Sequence, residues 1–165
     1  MSLKQICLCL MLVFISAVSC AQESNYKCNI DGQNVRLSID DLRPVIKTGL
    51  LSMSNQLNSQ SPLRIDETTV LMSTISVNYS IIHNYRVDIN SSEWSKEQIS
   101  KFIEIMKRKQ SQTVKYLMIK ANLDMMSKDE WIRLYKELEM EFIYNMRDNQ
   151  GVVFGTIRLT YKDLM

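Results

Sequence analysis

Hydrophobic residues recur along this chain with two distinct periods. From Tyr26 to Ile39 the stretch YKCNIDGQNVRLSI sets Asp31-Gly32 between two short runs, and Val35, Leu37 and Ile39 alternate with polar residues. An Asp-Gly pair between such runs predicts a small hairpin. Leu42, Val45, Ile46, Leu50, Met53 and Leu57 then recur at steps of three and four, the spacing of one helix face. Asp40 or Asp41 is the expected cap, Pro44 falls in the expected first turn, where a missing N–H costs nothing, and Pro62 lies beyond the end.

The period next drops to two. Thr69, Leu71, Ser73 and Ile75 alternate, and a turn is expected near Ser76 to Asn78. Beyond it Ile81, His83, Tyr85, Val87 and Ile89 share one face while Ile82, Asn84, Arg86 and Asp88 share the other. Ser95-Lys96-Glu97-Gln98 has the form of a capping box and opens a helical pattern through Ile99, Phe102, Ile103, Met106, Val114, Leu117 and Ala121. Ser127-Lys128-Asp129-Glu130 repeats the signal before Trp131, Leu134, Tyr135 and Leu138. Met140, Phe142, Tyr144 and Met146 alternate into the turn Asp148-Asn149-Gln150-Gly151, and Val153, Ile157, Leu159 and Tyr161 alternate away from it. This order predicts an α+β domain. Its expected sheet is four-stranded and antiparallel, made of two hairpins, with the helices on one face and an extra hairpin at the N-terminus. Residues 41–165 make up that single domain, preceded by an N-terminal segment, 22–40.

The start of the chain carries an address rather than a fold. After Lys4, Ile6 to Val18 form an apolar run of 13 residues, shorter than the roughly 20 that span a bilayer. Residues 1–19 are therefore expected to be a secretory signal peptide. Ala17-Val18-Ser19-Cys20 fits a lipobox, which makes Cys20 a lipid attachment site. Ser19-Cys20-Ala21 fits an ordinary peptidase site, and the leader is then 1–21. Either way the protein is exported, to the periplasm or outer membrane of a Gram-negative bacterium. Ala21 after the Cys points to the outer membrane.

Composition narrows the chemistry. With 45% hydrophobic and 23% charged residues, two Pro and four Gly, the chain is neither collagenous, low-complexity nor a polytopic membrane protein. A net charge of +2 supplies no footprint for nucleic acid. Cys7 and Cys9 leave with the leader, so Cys28 has at most Cys20 for company and is expected to be a small buried hydrophobe. No spacing supports a zinc or iron–sulfur site, and neither metal nor cofactor is expected. His83 is the single His; between Ile81 and Tyr85 on an apolar face it is expected to be packed and hydrogen-bonded rather than a base. Asp66-Glu67 and Glu139 with Glu141 are carboxylate pairs, but acid and base work requires two groups facing one substrate. A polar cap before the first strand suits Asp66-Glu67 better. Lys107-Arg108-Lys109 is expected to be a solvated face or a point where the helix bends.

The segment from Leu57-Asn58 through Pro62 to Asp66-Glu67-Thr68-Thr69 resembles the LN-x-x-x-P-x-x-x-DEET segment of small exported bacterial proteins of unassigned function. In those proteins a Y-x-Y strand and a terminal Y-x-Y hairpin with Gly follow. Here His83-Asn84-Tyr85, then Phe142-Ile143-Tyr144 and Gly151, stand in those places. The family carries a Cys in its long helix and one at its C-terminus, where this chain has Lys120-Ala121-Asn122 and Leu164-Met165, so that bridge is absent. The layered arrangement is similar to that of small pilotin lipoproteins, which escort secretion subunits to the outer membrane; this is an analogy of fold and compartment.

The reading that follows is a non-enzymatic interaction module of the envelope, with a protein partner, a membrane tether through Cys20 if that residue is lipidated, and no nucleic acid. An inhibitor or immunity-type protein acting on an exported enzyme is the second reading, and a carboxylate hydrolase the third. Helices that cover one sheet face leave the other for the partner. Ile82 and Ile143 are its expected anchors, with Arg86 and Arg147 as orienting charges.

Overall fold

The computed structural model describes residues 26–30, 32–122 and 126–165. The leader and Cys20 therefore lie outside the described residues. The N-terminal hairpin is present: β1 (Tyr26–Ile30) pairs antiparallel with β2 (Gln33–Leu37). It buries Tyr26 and Cys28. It is held where Lys27 N donates to Glu130 Oε1 at 2.9 Å and the Arg133 guanidinium lies 4.3 Å over the Tyr26 ring.

Helix α1 (Ile39–Ser59) starts earlier than its apolar stripe suggests. Its cap is Ser38, not Asp40 or Asp41. The Ser38 hydroxyl accepts from Asp41 N at 3.2 Å, and the Asp41 carboxylate accepts from Ser38 N at 2.9 Å. Pro44 consequently falls in the second turn, where it deprives the Asp40 carbonyl of its usual donor. The alternation of Val35, Leu37 and Ile39 disguised this capping box as the end of a strand.

One sheet follows, in the order β3 (Leu63–Arg64), β4 (Thr69–Val77), β5 (Ser80–Val87), β6 (Glu141–Arg147) and β7 (Val153–Leu159). All neighbours are antiparallel except β5 and β6, which run parallel. The expected four-stranded antiparallel sheet is thus a five-stranded mixed one. The two hairpins meet through a crossover that includes α2 (Lys96–Asn122) and α3 (Lys128–Glu137). A connection of that length carries the chain back to the end where β5 began. Side-chain alternation is the same in parallel and antiparallel strands, so periodicity could not distinguish them.

Two further departures have local causes. A bulge between Leu71 and Ser73 inserts one residue into β4, so Leu71 and Thr74 are buried while Ile75, expected beside Leu71, is 47% exposed. The chain also leaves β7 at Leu159, and Tyr161, expected in that strand, instead begins the short helix α4 (Tyr161–Leu164). The helix starts foreseen at Ser95 and Ser127 are both capped: at Ser95 the box is complete, with Gln98 N donating to Ser95 Oγ and Ser95 N to Gln98 Oε1, while at Ser127 the hydroxyl accepts from Glu130 N without the reciprocal backbone bond.

The core lies between the sheet and the helices. Ile81, Tyr144, Met146, Ile157 and Leu159 supply the sheet side, with Leu42, Val114 and Leu134 above them. Helix α2 comes close at Gly155, where an added Cβ would lie 2.0 Å from Ile103 Cδ1. Glycine is what allows that approach. Lys107 pairs with Asp163 at 2.7 Å, and Ser111 Oγ donates to the Asp163 carbonyl. The basic run is therefore partly a clamp on the C-terminus.

Candidate functional site

On the covered face, His83 is packed as expected. Its Nδ1 lies 3.0 Å from Thr74 Oγ1, and its ring sits 5.3 Å from that of Tyr144 and 6.0 Å from that of Tyr85. Burial pushes its pKa down to about 4 and raises that of Tyr85 to about 12. Between pH 6.5 and 4 the unfolded chain takes up a proton that the folded chain refuses, so stability falls as pH drops through that window, by up to about 3 kcal/mol. Ser38, Thr68, Ser91 and Lys107 hold the carboxyls of Asp41, Asp66, Asp148 and Asp163 below the usual carboxylate range; their contribution is lost only at lower pH. His83→Gln should itself cost about 1 to 3 kcal/mol and should flatten the slope of melting temperature between pH 6.5 and 4. An unchanged slope would remove His83 from this role.

A cavity of about 210 Å³ lies between α2 and the sheet, lined chiefly by Tyr85, Tyr144, Met106, Met146 and Ile157, with Asp66 and Lys109 also contributing. Neither His83 nor Glu67 lines it, so the carboxylates and the imidazole are not assembled around one space. Asp66 Oδ1 instead accepts from Thr68 N at 2.9 Å, the local cap that the sequence suggested. Glu141 pairs with Arg158. Among the described residues no group of three or more His, Cys, Asp or Glu is placed to hold a metal ion. Cys28 is buried, and burial pushes its thiol up to about 11. That state suits packing rather than nucleophilic chemistry.

The segment around Asn58 has a structural explanation. Strand β3 covers only Leu71 and Val70 of β4, so the rest of that edge lacks a neighbouring strand. Asn58 replaces one: its Oδ1 accepts from Thr74 N, its Nδ2 donates to Thr74 O, both at 2.7 Å, and Ser54 Oγ donates to the same carbonyl. At the opposite end, Asp148 accepts from Ser91 Oγ at 2.6 Å, Val152 N at 2.8 Å and Gln150 N at 3.0 Å. It ties the β6–β7 turn, closed by Gly151 at φ +85°, to the loop after β5. The sequence marked this turn but not its link to Ser91, 57 residues away.

The opposite face of the sheet is organised in rows that run across the strands. Register sets Ile82 beside Ile143 and Arg86 beside Arg147, so the parallel pairing brings the four expected residues together. Ile75 extends the first row on β4, and Arg64, through Val70, extends the second on β3. Between these rows the side chains form one oriented chain: Thr156 Oγ1 donates to Asn145, Asn145 Nδ2 to Asn84, and Asn84 Nδ2 to Ser73, at 3.0–3.1 Å. Ile75, Val77 and Met72 on β4 are 47, 49 and 39% exposed. Among the described residues the ion pairs involve none of Arg64, Arg86 and Arg147; Arg64 donates to the Glu67 carbonyl and Arg147 to that of Gly151. Arg64 and Ile75 were missed because a two-residue strand has no periodicity and because the bulge inverts the expected face.

No protein-family model matches the sequence, and no curated protein matches it. Among solved structures, a protein of Pseudomonas aeruginosa described as secreted is 12% identical, covering 74% of this chain and 96% of that one, with a TM-score of 0.42. The pilotin EpsS of the Vibrio vulnificus type 2 secretion system is 8% identical, covering 76% and 97%, with a TM-score of 0.49. The type II secretion pilotin AspS of Vibrio cholerae is 10% identical, covering 76% and 97%, with a TM-score of 0.46.

Proposed function

We propose that this protein is an exported, non-enzymatic interaction module of the bacterial envelope, which holds a protein partner on its open sheet face and is tethered to the outer membrane by lipid on Cys20. The observation that supports this most strongly is the register of β5 with β6, which joins Ile82 to Ile143 and Arg86 to Arg147 on a face where Ile75 is also exposed. Aliphatic anchors flanked by hydrogen-bonding and cationic groups have the composition of a moderate, partly wet interface. The short apolar leader ending at Ala17-Val18-Ser19-Cys20 supports the address. Mass spectrometry of the membrane fraction should find a lipidated Cys20, and an unmodified N-terminus at Gln22 would contradict the tether.

The docking face is tested by Ile82→Asp combined with Ile143→Asp. Both side chains are half-buried on the open face, so the variant should retain the far-UV circular dichroism and cooperative melting of the wild type. Capture of the partner from envelope extracts should be abolished, because a carboxylate would meet the partner's apolar contact without a hydrogen bond. Undiminished capture by the folded variant would refute the assignment.

A further inference from the structure

We infer that the partner presents an acidic amphipathic helix, laid across the strands of the open face with carboxylates over the arginine row and aliphatic side chains over the isoleucine row; this rests on the open face being the docking surface. Adjacent strands lie about 4.8 Å apart. Arg64 on β3, Arg86 on β5 and Arg147 on β6 therefore fall at roughly 0, 10 and 14 Å along their row. A helix rises about 1.5 Å per residue, so carboxylates at i, i+7 and i+10 or i+11, which share one stripe, fall at roughly 0, 10.5 and 15 to 16.5 Å, within the reach of the flexible Glu and Arg side chains. Ile75, Ile82 and Ile143 occupy three successive strands, a step of about 5 Å that i, i+3 and i+7 reproduce. An extended segment places its same-side residues every 6.7 Å or so. It would meet Arg147 but pass Arg86 out of step.

The width agrees as well. Ile82 and Arg86 are four strand residues apart, about 13 Å, and a helix with its side chains is about 10 to 12 Å across. One helix can thus touch both rows while lying over the Asn84 and Asn145 amides. Each of those amides uses one N–H and one oxygen lone pair within the ladder and keeps the other of each for a ligand. Guanidinium groups that lack an acidic partner, in a fixed row, are matched by carboxylates, which they bind bidentately.

The test uses the purified mature chain and three peptides of about 15 residues. The first is Ala-based with Glu at i, i+7 and i+11 and Leu at i+1, i+5, i+8 and i+12, which puts the two kinds of side chain on adjoining stripes. The second replaces each Glu by Lys. The third keeps the first composition but carries two central Pro residues that break the helix. The first peptide should shift the amide resonances of Ser73, Asn84, Arg86, Asn145 and Arg147. The other two should bind at least about tenfold more weakly. Arg86→Glu with Arg147→Glu should weaken the first peptide by a similar factor, and the milder Arg86→Gln with Arg147→Gln should do so in part. Equal binding of the Glu and Lys peptides, or of the helical and Pro-broken ones, would overturn the inference. If Ile82→Asp with Ile143→Asp abolishes envelope capture while Arg86→Glu with Arg147→Glu leaves it intact, the acidic helix is wrong and the docking face stands. If neither variant reduces capture, both fall. Arg-dependent binding to phosphatidylglycerol vesicles, with no peptide bound, would replace the helix by an anionic lipid surface.

Discussion

Leu134→Ala is expected to lower the stability of the protein by about 3 to 5 kcal/mol, near the upper end for a large-to-small core change. Leu134 is 0% exposed and lies at the middle of α3, on the face that also buries Trp131, Tyr135 and Leu138. Helix α3 is where the N-terminal hairpin attaches through Glu130 and Arg133 and where Tyr135 stacks on Phe142 of β6, ring centroids 5.9 Å apart. A cavity at Leu134 therefore sits where three elements meet, and the rigid sheet below limits how far they can collapse into it. Urea unfolding should show a lower midpoint with an unchanged slope, since the same surface is exposed on unfolding. A loss below about 1 kcal/mol would mean that α3 is not a structural keystone.

Combining Ser54→Ala with Asn58→Ala should cost about 2 to 6 kcal/mol, because it leaves both the N–H and the C=O of Thr74 without partners and each such group costs about 1 to 3. Thr74 is 0% exposed. Asn58→Ala alone should cost less, since Ser54 Oγ still serves the carbonyl and only the N–H is orphaned. The double variant should also expose the outer edge of β4, which α1 now shields, and aggregate on heating. Thermal melts with light scattering check both effects. A double variant as stable as the wild type would show that water or a shifted strand replaces Asn58.

These two sites mark the boundary between what could be read in advance and what could not. Helix starts at Ser95 and Ser127 were legible because a cap is a local bond between residues three apart. The alternation through Ile82, Asn84 and Arg86, and through Glu141, Ile143 and Asn145, gave the correct face for each strand by itself. The partnership of those strands was not legible. Register depends on which end of the sheet the crossover returns to, and the α2–α3 connection carries no periodic trace of it. Asn58 bonds to a residue 16 positions away and Lys107 to one near the C-terminus; contacts that arise only after packing leave no pattern in a window of ten or fifteen residues. The bulge at Leu71 had the same effect on a smaller scale, since one inserted residue moved Ile75 from the expected core to the open face.

The central claim is that the open sheet face, rather than the helical surface or the cavity, meets the partner. The direct measurement is site-specific photo-crosslinking in intact cells, with a photo-reactive residue placed either at Ile143, in the middle of the open face, or at Ile105, which is 37% exposed on α2. A single crosslinked species of defined mass from position 143, absent from position 105 and lost when Ile82→Asp is added, is the predicted result. Crosslinking from position 105 with none from position 143 would contradict it.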